Sequence, residues 1–166
     1  MTLIGRCDVP IPAVMRDLSI FVESYNCGEK WLTEIDVRNV IPEGKDVYII
    51  SLQECMNSSK SVSSLLSLLS PNGEYVVETY SIGSYWRWLG FHGNVTIIAL
   101  VRESILNNFC LCAGSKARMG LNLGVCRLGN KGSVAITMRI GGQVIMAIAA
   151  HFSSDLKVRL EVGDDE

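Results

Sequence analysis

Charge is scarce in this sequence, and neither sign dominates. Charged side chains make up 19% of the 166 residues, with 15 Lys+Arg against 17 Asp+Glu and a formal net charge of -2. That balance argues against a nucleic-acid partner, because binding a phosphate backbone leaves a basic footprint. Long apolar runs are missing too. The longest, such as residues 144–150, fall far short of the roughly 20 residues of a membrane-spanning helix. The opening MTLIGRCDVPIP has no signal-peptide apolar core. The cysteines, Cys7, Cys27, Cys55, Cys110, Cys112 and Cys126, form no CxxC…CxxC array, which argues against a structural zinc site. They read as reduced thiols in a cytoplasmic protein.

What is present is apolar. Hydrophobic residues reach 48%, enough for a core and too many for a disordered chain. The length suits one domain. Residues 18–25, LSIFVESY, read as a strand ended by the turn Asn26-Cys27-Gly28. Residues 31–40 read as a helix with Trp31, Ile35 and Val40 on one side and Glu34 and Arg38 as an i,i+4 pair. Residues 47–52, VYIISL, are apolar almost throughout, as in a strand buried on both faces of a parallel sheet. Strand, helix and strand form a βαβ unit. A second helix is expected over 61–69, with Val62, Leu65, Leu66 and Leu69 at helical spacing. Four strands follow, at 75–80, 95–101, 133–140 and 143–150, the last two flanking the hairpin signal Gly141-Gly142. The fold class is α/β with a mixed sheet.

Three polar clusters stand directly after apolar strands: Asn26, then Gln53-Glu54, then His151. Ligand sites of α/β sheets gather beyond the carboxyl ends of strands. A carboxylate there can hold one Mg²⁺, which keeps waters and takes further oxygens from a phosphate. Alone, each residue is more often structural: a cap, a turn residue or a hydrogen-bonded imidazole. Their occurrence together, in this order, is what points to chemistry. A fourth cluster, residues 128–133 (LGNKGS), offers backbone N–H groups and the Lys131 charge to an anion. It is not a P-loop, because Asn130 interrupts the Gly-Lys pair and a strand follows instead of a helix.

Taken in order, SYNCG, ISLQEC, LGNKGSVAI and AAHFSSD followed by Arg159 resemble the inositol polyphosphate 5-phosphatases. That family belongs to the endonuclease/exonuclease/phosphatase superfamily with the DNase-I-like fold. Its patterns are a strand ending in TWN, a strand ending in QE, a GNKGG turn before a strand, and a strand ending in CHL with a downstream arginine. The resemblance implies a four-layer α/β sandwich and Mg²⁺-dependent hydrolysis of the 5-phosphate of a phosphoinositide or inositol polyphosphate. It implies that Glu54 is the Mg²⁺ ligand and that Asn26 supports the metal site by hydrogen bonding. His151 is implied to contact the scissile phosphate, and Asn130 and Lys131 to line the inositol-phosphate pocket. A cytoplasmic protein with peripheral membrane contact follows from the same resemblance.

The chain departs from the pattern mildly at Ser24-Tyr25-Asn26 and at Ser133, and strongly further on. The family's GDxNxR and PxWCDR segments, and a late His/Asp pair, do not occur in these 166 residues. The expected organisation is an N-terminal extension over 1–17, the N-terminal portion of the catalytic domain over 18–161, and an acidic tail over 162–166. The domain's C-terminal half, with its water-activating aspartate, is then a missing partner. The alternative reading is an inactive fragment acting as a binding module. A sphingomyelinase or nuclease branch of the superfamily fits the LGNKGS turn and the low basic charge less well.

Overall fold

The computed structural model describes residues 17–84, 93–118, 131–140 and 143–152. They form a mixed α/β structure of two sheets and two helices. The first sheet has the order β1-β2-β4-β3, and the second the order β5-β6-β7. Strand β1 (Ile20–Asn26) runs parallel to β2 (Val47–Cys55), as the βαβ pattern requires. Strand β4 (Gly93–Arg102) pairs antiparallel with β2, and β3 (Tyr75–Ser84) pairs antiparallel with β4 at the edge. The apolar run of β4 places it inside the sheet, buried along almost its whole length.

The second sheet is antiparallel throughout. It contains β5 (Phe109–Arg118), β6 (Gly132–Ile140) and β7 (Gln143–His151). Ile140 pairs with Gln143, so β6 and β7 are a hairpin with a two-residue connection. Gly141-Gly142 themselves lie outside the described residues. Strand β5 and the 3-10 turn Glu103–Asn108 before it were not expected from the pattern. The reason is composition: along β5, Phe109 and Leu111 are buried while residues 114–118 are exposed, so no regular alternation marks the strand.

Two apolar clusters hold the layers together. Val47, Ile49, Ile97 and Val101 of the first sheet meet Leu111, Val134, Ile136 and Met138 of the second. On the other face of the first sheet, Tyr48, Ile50, Leu52, Ile98 and Leu100 meet the helices. The layers are therefore helices, sheet and sheet.

Helix α2 (Ser58–Leu69) starts three residues before the expected position, because Asn57 Oδ1 accepts the Lys60 N–H as an N-cap. Helix α1 (Glu34–Val40) starts three residues later than expected. Thr33 and Asp36 form a capping box that holds Trp31 and Leu32 in the preceding loop. This resets the buried face. Leu32, Val37 and Ile41 enter the core, whereas Trp31, Ile35 and Val40 face solvent. Glu34 accepts from Ser67 Oγ at 3.1 Å rather than pairing with Arg38.

The expectation that every cysteine is reduced is corrected at one position: Cys110 is disulfide-bonded. Cys27 and Cys55 are free thiols.

Candidate functional site

Glu54 owes its position to a bulge. Leu52 pairs with Thr96 and Cys55 with Asn94, so Gln53 and Glu54 together stand against Val95 alone. Glu54 takes φ 50, a left-handed conformation that few non-glycine residues adopt. Leu52 and Cys55 both enter the cluster under the helices. The extra residue between them is what frees the Glu54 carboxylate to turn toward the second sheet. Gly93 makes room for this bend, since a Cβ there would stand 3.1 Å from the Glu54 Cα.

His151 ends β7 opposite Gly132, the first residue of β6. That register sets Lys131, just before β6, beside the imidazole. The Lys131 Nζ lies 2.7 Å from His151 Nε2 and 3.3 Å from Nδ1. An ammonium can only donate, so the nearer nitrogen accepts and the ring is neutral in this contact. Glu54 Oε1 stands 3.6 Å from the same Nε2. Burial lowers the His151 pKa from its ordinary value, the Lys131 charge lowers it further, and the Glu54 carboxylate opposes both. With burial and Lys131 prevailing, the contact with Glu54 joins a carboxylate to a neutral imidazole. It is not an ion pair at neutral pH.

Glu54, Lys131 and His151 thus meet at one end of the two sheets. Asn26 lies at the same end, paired in register with Gln53. Its Oδ1 accepts the Gly28 N–H at 2.9 Å, which closes the turn after β1, and no hydrogen bond joins its side chain to Glu54. Asn130 falls outside the described residues. Gln53 braces the strand ends: its Nε2 donates to Ser51 Oγ at 2.8 Å and to Ser24 Oγ at 3.1 Å. The turn after β1 is tied to the bulge by the main chain. Cys27 N–H donates to Gln53 O at 2.8 Å, Glu29 N–H to Glu54 O at 3.1 Å, and Met56 N–H to Lys30 O at 2.7 Å.

No family model matches this chain, and no curated protein matches it either.

Glu54 could offer one carboxylate to a hard divalent cation, while among the described residues no group of three or more His, Cys, Asp or Glu side chains stands ready to hold a metal. The Glu54 side chain is 35% exposed and lies 3.6 Å from the His151 imidazole. Mg²⁺ commonly takes one or two carboxylates and completes its shell with water and substrate phosphate. Lys131 adds a fixed positive charge for an anion.

Two open spaces adjoin this end. A groove of ≈ 550 Å³ separates β1 and β2 from β7 and is lined by Val22, Ser24, Gln53, Met146, Ile148 and Ala150. A cleft of ≈ 500 Å³ on the other side is lined by Asn26, Cys27, Lys30, Trp31 and Asp36. Lys60 Nζ lies 4.1 Å over the Trp31 ring beside it.

Sequence reasoning did not single out Gly93, Cys27 or Cys55 as neighbours of the site. The two thiols follow Asn26 and Glu54 directly and share the apolar cluster under the helices. Each is the first influence on the other: Cys55 raises the Cys27 pKa, and Cys27 draws the Cys55 pKa down to about 6.

Proposed function

We propose that this chain forms part of a longer Mg²⁺-dependent phosphatase domain of DNase-I-like architecture. That domain removes the 5-phosphate from phosphoinositides or inositol polyphosphates. The observation that carries the reading is the meeting of Glu54, Lys131 and His151. These residues come from widely separated segments, and each stands where a motif of the resemblance puts a phosphate-handling group.

Glu54 would hold a Mg²⁺ ion, which when bound would supply positive charge to the phosphoryl oxygens. Lys131 offers a donor that can turn from the imidazole to an arriving phosphate. Such a point charge selects anionic substrates without dictating their geometry. His151 enters neutral, with burial and Lys131 keeping it so. It can accept a proton or donate its remaining N–H as negative charge builds up on the phosphoryl group. Asn26 keeps its amide N–H₂ available, because only Oδ1 is used in the turn. Asn130 contributes to the inositol-phosphate pocket in this reading. The near-neutral charge supports the absence of a nucleic-acid partner, and a cytoplasmic protein working at membrane surfaces is what the resemblance implies.

The test is to express the chain together with the continuation of its reading frame and to measure phosphate release from inositol 1,4,5-trisphosphate with Mg²⁺. Release that needs Mg²⁺ and is lost in Glu54→Gln is the expected result. Binding of the inositol phosphate without any release would favour the binding-module reading instead.

A further inference from the structure

We propose that Cys27 and Cys55 are an oxidative modification site, a dithiol that a hydroperoxide converts into a disulfide joining the ends of β1 and β2. Both are free thiols, and both lie in the cluster beneath the helices. Asn26 pairs with Gln53 across parallel strands, and the Cys27 N–H donates to Gln53 O at 2.8 Å. Cys27 and Cys55 therefore stand at the ends of adjacent strands, Cys27 just past Asn26 and Cys55 just past Glu54. Such strands run about 4.8 Å apart, and a disulfide spans Cα separations of roughly 4.4–6.8 Å. Cys55 Sγ lies 3.5 Å from Ser61 Oγ.

Access comes from one side. Cys27 lines the ≈ 500 Å³ cleft next to Asn26 and is 7% exposed, whereas Cys55 is fully buried behind it. A small oxidant such as hydrogen peroxide entering the cleft meets the pair there, and a protein-sized one is excluded. One sulfur attacks the peroxide, the O–O bond breaks, and the departing oxygen leaves as water with the thiol proton. The resulting sulfenic acid is attacked by the second sulfur. The S–O bond breaks, the S–S bond forms, and a second water leaves. Two electrons pass from the two sulfurs to the peroxide, and a dithiol reductant reverses the change.

The link matters because of what lies between the two cysteines. Glu54 precedes Cys55 in the bulge, and its carbonyl takes the Glu29 N–H from the turn that Cys27 begins. Closing the sulfurs to a bond of about 2 Å pulls on both ends of that frame. Oxidation therefore bears on the placement of Glu54, a consequence that rests on the function proposed above.

Peptide mapping tests the site directly. Residues 17–30 and 46–60 are expected tryptic peptides, and each contains a single cysteine, Cys27 or Cys55. After peroxide treatment, alkylation and non-reducing digestion, the two peptides are expected as one linked species lacking two hydrogens. Alkylation at both positions is expected to fall equally and to return with dithiothreitol. Thiols that stay alkylatable, a sulfinate at either position without cross-linking, or linkage to another cysteine overturns the proposal. The map uses the unaltered chain, so it stands even if Cys27→Ser does not fold. In the completed enzyme, peroxide is expected to stop turnover reversibly in the wild type and to leave Cys27→Ser unaffected. Inactivity of the reduced enzyme counts against the proposed function and leaves the peptide map to decide the thiol site.

Discussion

Glu54 of β2 and His151 of β7 face each other from different sheets, with Oε1 and Nε2 3.6 Å apart. Each reaches that point through a backbone feature: a left-handed bulge residue on one strand, and on the other a register that sets His151 opposite Gly132. The first prediction follows from this pair. In the completed domain, Glu54→Gln removes the carboxylate charge while keeping its shape. The Mg²⁺ concentration for half-maximal activity is expected to rise by more than the roughly 10–100-fold typical of losing an outer-sphere partner. Mg²⁺ titrations of initial rate check it, and an unchanged requirement would show that Glu54 is not the ligand.

Burial first and the Lys131 charge second hold the His151 pKa below its ordinary value. Removing the Lys131 ammonium deletes one of the two influences that lower the imidazole pKa and leaves the Glu54 carboxylate, which raises it. Lys131→Ala is therefore expected to move the His151 pKa upward, and Glu54→Gln to move it further down. NMR titration of the His151 ring protons in each variant reads both signs. A pKa that ignores both substitutions would mean the contacts do not exist in solution.

The same lysine is expected to discriminate substrates. Lys131→Ala should raise KM for an inositol polyphosphate more than for a simple aryl phosphate, because the extra phosphates need a cationic partner. Steady-state kinetics on both substrates provide the comparison. Equal losses would remove Lys131 from the pocket.

Gly132 links Lys131 to β6 at φ 140, and a Cβ there would collide with the Ala117 carbonyl oxygen. Gly132→Ala combines this collision with a backbone conformation disfavoured for alanine. In the completed domain it is expected to cost about 1–3 kcal/mol, or about 2–4 °C of Tm for each kcal/mol. Thermal unfolding followed by circular dichroism measures it, and an unshifted Tm would contradict the tight β5–β6 approach.

The chain of 166 residues, studied by itself, is expected to associate. Val22, Val144, Met146, Ile148 and Phe152 are 57–64% exposed, and the first four lie on strands at sheet edges. Strand β7 carries no charged residue or proline to discourage edge pairing. Sedimentation velocity across micromolar concentrations, together with binding of a hydrophobic dye, reads this surface. A dye-silent monomer with a sharp unfolding transition would refute it.

Much of this architecture was legible from local pattern. Apolar runs marked β2 and β4, alternation marked β6, and the glycine pair marked the β6–β7 hairpin, because burial on one face or two writes itself into residue spacing. The strand-end positions of Asn26, Glu54 and His151 were legible for the same reason. Strand β5 was not, since five of its ten residues are exposed and its pairing to β6 is mainly main-chain hydrogen bonding, which any side chain permits. The start of α1 escaped as well. Periodicity continues smoothly through Trp31, and a hydrogen-bonded box of Thr33 and Asp36 decides where the helix begins.

Local sequence determined which residues could do chemistry and at which strand ends they would stand. It could not determine that Glu54 turns toward the second sheet, because one extra residue in a ladder flips a side chain only relative to a partner strand. Nor could it place Cys27 against Cys55, or Lys131 against His151. Those contacts depend on strand register and on the packing of one sheet over another, which arise from the whole folded chain and not from spacing along it.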